Sequence, residues 1–230
     1  MTNVTFWNTL DEDEREAMRK AGREPRLPFQ PGDQILRQGD DRPDRTALII
    51  SGRCRVLWNG GKGRTTYLGT RRDGDLIGEM AVLDGGTRNA TVRALTETYV
   101  RWWAREAFDE LLTGHPRIMR KLLTSVTGRL KEADQQQIAL ASASPGLRVA
   151  HLLLRLADAE GVGRDGGVEI RELTRQDLGN WTGMGRDAAT RCVTRLQDLG
   201  LLGDTSKNRR RIVILDLKGL RRLVSGPPDG

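Results

Sequence analysis

Residues 173–202 read LTRQDLGNWTGMGRDAATRCVTRLQDLGLL, and this stretch decides how the rest of the chain is read. Thr174 is placed to cap a helix, with Asp177 three residues on, where a capping-box acceptor belongs. Leu178 and Trp181 give that helix an apolar side. Gly183-Met184-Gly185 then breaks it, because glycine takes the positive φ of a sharp turn at little cost. A second helix follows. Ala189, Cys192, Val193, Leu196 and Leu199 recur at helical spacing and are expected to point inward, and Gly200 ends the helix. Its opposite leading face carries Arg186, Asp187, Thr190 and Arg191. A short helix, a glycine turn and a helix with a polar leading face predict a helix-turn-helix. Arginine suits such a face, since its fork can hold O6 and N7 of a guanine together. By pattern alone, a plain helical hairpin with a solvated face also satisfies this stretch.

The flanks extend the motif. Val168-Glu169-Ile170 reads as a short strand leading in, after a glycine-rich loop at 161–167 that is too irregular for a phosphate-binding P-loop. Residues 211–215, RIVIL, read as a strand of a β-wing with Ser206 to Arg210 at its tip, and Leu217 to Val224 as a closing helix. The tail SGPPDG is expected to fray. Residues 141–230 hold 15 Lys/Arg against 11 Asp/Glu, with Lys207, Arg209, Arg210 and Arg211 clustered beside the reading helix. The whole chain carries a formal charge of +7 and 30% charged residues, a balance that favours an anionic partner such as nucleic acid.

Upstream, the character changes. Between Leu27 and Trp103, short apolar pieces (34–36, 47–50, 54–58, 66–68, 90–94 and 99–103) alternate with turns at Pro31-Gly32-Asp33, Gln38-Gly39-Asp40, Ser51-Gly52, Asn59-Gly60-Gly61 and Asp73-Gly74-Asp75. Regular short strands with glycine turns predict an antiparallel sandwich or roll. Trp102 and Trp103, adjacent in a strand, must face opposite sides. Phe6 to Arg19 reads as one amphipathic helix with Asp11 to Glu14 on its solvated face. Arg105 to Leu112 begins the helical part. After Pro116 a long helix runs to about Ala143, in which Met119, Leu123, Val126, Leu130, Ala133, Gln137 and Leu140 step alternately by four and three. That seam is the pattern of a coiled coil, and a parallel homodimer supplies the partner helix. Packing on the chain's own β-domain is the alternative. Residues 142–146, SASPG, form the expected hinge, and Leu147 to Ala157 a further apolar-faced helix.

With 230 residues the chain is long enough for two domains. The start, MTNVTFWNTLDEDERE, has no apolar core of signal-peptide length, and no stretch approaches the roughly 18 apolar residues of a membrane span, so a cytoplasmic protein without membrane partners is expected. Cys54 and Cys192 lie far apart in apolar patterns and are read as buried thiols; no zinc or iron–sulfur site can be assembled from them. His115 and His151 are isolated. No nucleophile–base pair is visible, and the hydroxyls of Ser144 and Thr174 have no histidine nearby in sequence, which argues against an enzyme.

One more motif lies in the β-region. Ile77-Gly78-Glu79-Met80-Ala81-Val82-Leu83 is followed by Asp84-Gly85-Gly86-Thr87 and then Arg88-Asn89-Ala90-Thr91-Val92. The glycines free the backbone to turn and to offer N–H groups to an anion. Glu79 can accept from a sugar hydroxyl, and Arg88 can pair with a phosphate. Spacing alone equally allows an internal Glu79–Arg88 salt bridge.

These blocks, in this order and over nearly the whole chain, resemble the cyclic AMP receptor protein / fumarate–nitrate reduction regulator (Crp/Fnr) family. The resemblance rests on Pro31-Gly32-Asp33 with Gln38-Gly39-Asp40, on Ile49-Ile50-Ser51-Gly52, on the Gly78-Glu79 to Arg88-Asn89-Ala90-Thr91-Val92 cassette, and on residues 173–179 with Gly185-Arg186-Asp187 to Arg191. It implies an α+β architecture: a cyclic-nucleotide-binding-type β-roll over 1–115, a dimerisation helix over 116–143 and a winged helix-turn-helix over 147–230. The implied activity is a ligand-switched transcription regulator that binds a palindromic operator in double-stranded DNA as a homodimer, with RNA polymerase a candidate partner. A regulatory subunit acting on a protein, or a regulator with a vestigial pocket, are the rival readings.

The resemblance also assigns residues. Gly78, Glu79, Arg88, Asn89 and Ala90 would hold a cyclic nucleotide, cyclic AMP first among the candidates, with Glu79 on the ribose hydroxyl and Arg88 on the phosphate. The family's base-binding pair falls at Ala133 and Asp134. Ala133 cannot hydrogen-bond a base, which predicts weak binding with poor discrimination. Thr174, Arg175, Gln176, Arg186, Asp187, Thr190, Arg191, Arg209 and Arg210 would face DNA. Asp187 stands where glutamate is usual and Gly185 where a serine cap is usual. The cysteine cluster of oxygen-sensing members is absent.

Overall fold

The computed structural model of the chain describes residues 4–24, 27–41, 44–61, 64–141, 143–204 and 210–225, with the side chains of 139–141 outside that set. Two compact units emerge, one of residues 1–60 and 67–134, the other of residues 61–66 and 135–230.

Period-2 alternation organises the first unit. Its strands are β1 (Gln34–Leu36), β2 (Arg45–Ser51), β3 (Arg53–Asn59), β4 (Thr65–Arg72), β5 (Leu76–Ile77), β6 (Thr91–Ala94) and β7 (Tyr99–Ala104). They form a four-stranded sheet in the order β1-β6-β3-β4 and a three-stranded sheet in the order β5-β2-β7. Ala47 and Ile49 of β2 join Ile35, Cys54, Ile77, Val92 and Val100 in one core cluster. Leu48, between them, points the other way, into a cluster with Phe6, Met18, Trp103, Phe108, Ile118 and Leu122. The three-stranded sheet is therefore buried on both faces, and β2 reads as a continuous apolar run for that reason. The tryptophan pair behaves as the alternation requires. Trp103 is fully buried and its Nε1 donates to Met18 O at 3.0 Å, while Trp102 lies on the opposite face under the Arg45 guanidinium, 4.4 Å from the ring centroid.

The N-terminal segment departs from the single helix expected. It is α1 (Phe6–Thr9) followed by α2 (Glu12–Ala21), with Leu10 extended between them. Asp11 is an N-cap: it accepts from Glu14 N at 2.9 Å while Glu14 accepts from Asp11 N at 2.8 Å, a capping box that starts a new helix. Glu14 is thus buried, not solvated, and is paired with Lys121.

After α3 (Glu79–Asp84) and α4 (Arg105–Gly114) comes α5 (Pro116–Ala141). Its faces divide the two sequence-based expectations. Ile118 and Leu122 are buried in the unit's own core with Met119 and Val126 packed beside them. Leu123 and Leu130, on the heptad seam, are 54% and 60% exposed, and Ala133 and Gln137 are exposed with them. The side chain of Leu140, and Ser142 as a whole, fall outside the described set.

In the second unit, Ser144 caps α6 (Pro145–Glu160) by accepting from Leu147 N at 3.4 Å. The stretch 161–167 is no loop but half of a hairpin, β8 (Val162–Arg164) against β9 (Gly167–Arg171). Strand β10 (Arg211–Ile214) adds to β9 on the other side, pairing Ile212 with Ile170. The helix-turn-helix, α7 (Arg175–Trp181) and α8 (Arg186–Asp198), and α9 (Leu217–Ser225) complete the unit. Ser206, Lys207 and Arg209 of the expected wing tip, and the 226–230 tail, lie outside the described residues.

Candidate functional site

Gly78 ends β5 and caps α3 at φ 77° and ψ 4°. A Cβ there would stand 2.5 Å from Arg88 Nη1 and 2.8 Å from Leu36 Cδ1, so only glycine allows the guanidinium against the turn. Arg88 is 3% exposed. Its Nη1 donates to Gly78 O at 2.5 Å and its Nη2 to Arg45 O, while Nε is buried without a partner among the described residues. Desolvation by burial lowers its pKa most, against Asp40 and Asp44, which favour the charged form.

Glu79, one residue on, is also buried, and its carboxylate is not bound to Arg88. Arg129 of α5 takes it, with Nη1 2.6 Å from Oε1 and Nη2 donating to Leu76 O at 3.1 Å. The cause lies in the packing of α5. Leu122 docks on the core, and Arg129, seven residues later, is carried onto the same side of the helix. Arg71 of β4 lines the crevice from another wall, and its Nη1 donates to Thr70 O at 3.0 Å. Burial first, then the like charge of Arg129, lower its pKa.

The enclosed part of the crevice is small, about 60 Å³, and it opens to solvent. Gly78, Glu79, Arg88, Asn89 and Ala90 all line it, as the sequence reading expected. Asn89 is exposed, with its Nδ2 3.7 Å from Met80 Sδ. Ala133 and Asp134 are exposed on α5 and do not line the crevice of the single chain. Arg71 and Arg129 were missed. The phase of Arg129 with Leu122 was the available signal; Arg71 had none. Chemically, a backbone turn with a buried guanidinium suits an anion, and a buried carboxylate beside it suits a hydroxyl donor. Among the described residues no group of three or more His, Cys, Asp or Glu is placed to hold a metal ion.

The second constellation is the outer face of α8. Thr174 and Asp177 form the capping box of α7, with Asp177 N donating to Thr174 Oγ1 at 3.1 Å and Thr174 N to Asp177 Oδ2 at 2.9 Å. Gly183 makes the turn at φ +70°, whereas Gly185 keeps a negative φ and caps α8 without a side chain. Ala189, Val193 and Leu196 are buried as expected; Cys192 is only half-buried and Leu199, at the C-cap, is 57% exposed because the helix ends before it can turn inward. Arg186, Asp187, Thr190 and Arg191 are exposed together. Steps of four continue the face to Thr194 and Arg195, also exposed, which the sequence reading did not include. Gln176 is exposed at the start of α7 and donates from Nε2 to Asn180 Oδ1 at 3.0 Å; Arg175 is half-buried, and burial lowers its pKa. Arg210 is exposed and ion-paired with Glu172. On the wing sheet a single buried carboxylate, Glu169, gathers Arg164 at 2.7 Å, Arg171 at 2.8 Å and Arg211 at 3.7 Å. These three arginines converge on that one carboxylate among the described residues.

Two domain families match the chain. Residues 26–115 match the cyclic nucleotide-binding domain family and residues 147–223 the Crp-like helix-turn-helix domain family. The chain is 25% identical over 195 residues to the CRP-like cAMP-activated global transcriptional regulator of Mycobacterium tuberculosis, covering 84% of this chain and 85% of that one. It is 27% identical over 223 residues to the transcriptional activator protein FnrA of Stutzerimonas stutzeri, covering 96% and 88%. Its fold is shared with the c-di-GMP responsive global regulator CLP of Xanthomonas campestris, at a TM-score of 0.76 and 22% identity over 90% of this chain and 100% of that one. With a cyclic nucleotide-binding domain and a Crp-like helix-turn-helix domain matched in order along it, and with regulators of this type among its relatives, the chain belongs to the Crp/Fnr family of ligand-switched, DNA-binding transcription regulators.

Proposed function

We propose that this regulator is a cytoplasmic homodimer that reads a palindromic DNA operator and is switched by a cyclic nucleotide of the cyclic AMP type. In this reading residues 1–115 sense, 116–143 dimerise and 147–230 bind DNA. The observation that carries it is the meeting of Gly78, Glu79 and Arg88 in one crevice, where a buried guanidinium keeps an unpartnered Nε and a buried carboxylate stands one residue from the turn. Arg88 takes the cyclic phosphate and Glu79, held by Arg129, accepts from the ribose hydroxyl. The exposed Leu123 and Leu130 of α5 are the seam. In a two-fold dimer the two α8 helices lie one helical turn of DNA apart, with Arg186, Asp187, Thr190 and Arg191 toward base edges and Thr174, Arg175, Gln176 and Arg210 toward phosphates. Arg209 belongs to the same basic tip by sequence. The base lacks a partner at Ala133, so affinity for cyclic AMP is low by about one lost hydrogen bond, roughly tenfold. Calorimetric titration of the wild type and of Arg88→Ala with cyclic AMP and cyclic GMP is the test. Weak binding of both by the wild type and none by the variant is expected; equal heats from the two proteins would remove Arg88 from the site.

A further inference from the structure

Among the side chains that line the crevice, cations outnumber carboxylates by more than one phosphate charge, with Asp40, Asp44 and Asp75 acting only from outside the lining. Three of its lining residues are arginines, Arg71, Arg88 and Arg129, and one is a carboxylate, Glu79. Arg129 and Glu79 neutralise one another through the 2.6 Å pair. Arg88, with its buried unpartnered Nε, answers one phosphodiester charge. Arg71 is then left over. Among the described residues its guanidinium is held by a neutral backbone acceptor, Thr70 O at 3.0 Å, and by no carboxylate within ion-pair distance. Asp75 and Glu79 act on it from farther off and Arg129 opposes them, with burial the largest influence, all of which leaves the cation poorly compensated where it stands. A half-buried arginine of this kind, held only by a neutral carbonyl, gains from a second anion, since charge-assisted bonds to phosphate are about twice as strong as neutral ones.

We infer that Arg71 is a specificity-determining residue of the crevice and that the preferred ligand is a nucleotide carrying two phosphate groups, one for Arg88 and one for Arg71. The inference rests on the proposed reading of the crevice as a nucleotide site. Two sources share this chemistry, a cyclic dinucleotide and a linear nucleoside bisphosphate. Either fits a crevice that is open to solvent, because only the phosphates need reach the arginines while most of the ligand lies outside the enclosed space.

The test titrates the full-length protein with cyclic AMP, cyclic di-AMP and adenosine 3′,5′-bisphosphate, which keep the base constant and vary the phosphates. Wild type, Arg71→Gln, Arg71→Lys and Arg88→Ala are compared, with thermal melts to establish that each is folded. The wild type is expected to bind one of the two-phosphate ligands at least tenfold more tightly than cyclic AMP, and which of the two identifies the source. Arg71→Gln should erase that preference, lowering affinity for the two-phosphate ligand at least tenfold more than affinity for cyclic AMP; Arg71→Lys should keep part of it. Cyclic AMP bound through Arg88 with no gain from a second phosphate, or a loss on Arg71→Gln that is equal for all three ligands, overturns the inference and leaves the nucleotide reading standing. No binding of any of the three overturns both.

Discussion

The Glu79–Arg129 pair makes a strong demand on stability. Glu79 is buried, with its side chain only 3% exposed, and Arg129 is the partner that supplies both its 2.6 Å ion pair and a bond to Leu76 O. Removing one member of a buried pair costs about 3–5 kcal/mol, because the survivor is left as an uncompensated charge. Arg129 is 21% exposed on its side chain, which admits some water and places Arg129→Ala near the lower end, at about 3 kcal/mol. For a chain of this size that corresponds to a drop in melting temperature of about 6–12 °C. The double variant Glu79→Gln with Arg129→Met removes both charges and should recover most of the loss, since neutral replacements of a buried pair are often neutral or stabilising. Urea unfolding at fixed protomer concentration, followed by tryptophan fluorescence, measures this directly. Trp7, Trp58, Trp102 and Trp103 all report on the first unit, against Trp181 in the second. A single variant that loses less than about 1 kcal/mol, or a double variant no better than the single, would mean that Glu79 is solvated and that α5 is not clasped to the crevice by this pair.

Other outcomes follow from the same structure. Leu130, 60% exposed, can become Leu130→Glu at little intramolecular cost, so light scattering should report folded monomers; a dimer of unchanged mass moves the interface off α5. Arg186→Ala should cost about 1–3 kcal/mol on the specific operator and relax one base pair per half-site, whereas Arg210→Ala, already paired with Glu172, should weaken all duplexes alike and reduce the salt slope by about one unit. Equal losses from the two on random and specific DNA would make Arg186 a phosphate contact only. Burial pushes the Cys54 thiol up to about 12 from 9.0, so the folded state holds its proton over a window in which the unfolded chain releases it. Stability should therefore fall with rising pH between those values by about 1.4 kcal/mol per unit, and Cys54→Ala should flatten that limb; parallel pH curves for the two proteins would place the thiol in contact with water.

What the sequence made legible was local. The Thr174–Asp177 capping box, the left-handed turn at Gly183 and the opposed faces of Trp102 and Trp103 each depend on residues within a few positions of one another, where periodicity and turn chemistry are decisive. The reading failed where a residue's partner is distant or where two local rules compete. Glu79 and Arg129 are fifty positions apart, and nothing in either neighbourhood names the other. Glu14 reads as one of four solvated acids until Asp11 claims the cap and Lys121, over a hundred residues away, meets its carboxylate. The glycines at 161–167 suggested a loop, but the register of Val162 with Glu169 closes them into a hairpin. The long helix carried two apolar stripes, and a heptad count alone could not tell that Leu122 faces the chain's own core while Leu123 faces outward. Ala133 and Asp134 were assigned by resemblance, and the exposed position of both on α5 is a fact of packing that no motif encodes.

The central claim is that occupancy of the Gly78–Glu79–Arg88 crevice governs operator binding by the Arg186–Arg191 face. The direct measurement is fluorescence anisotropy of a labelled palindromic duplex selected by the protein from a random pool, titrated at fixed salt with and without saturating nucleotide. The account predicts that nucleotide changes the affinity of the wild type by tenfold or more, about 1.4 kcal/mol of coupling or above, and that Arg88→Ala binds the duplex with the unliganded affinity whether or not nucleotide is present. Identical wild-type isotherms with and without a nucleotide that calorimetry shows to be bound would contradict it.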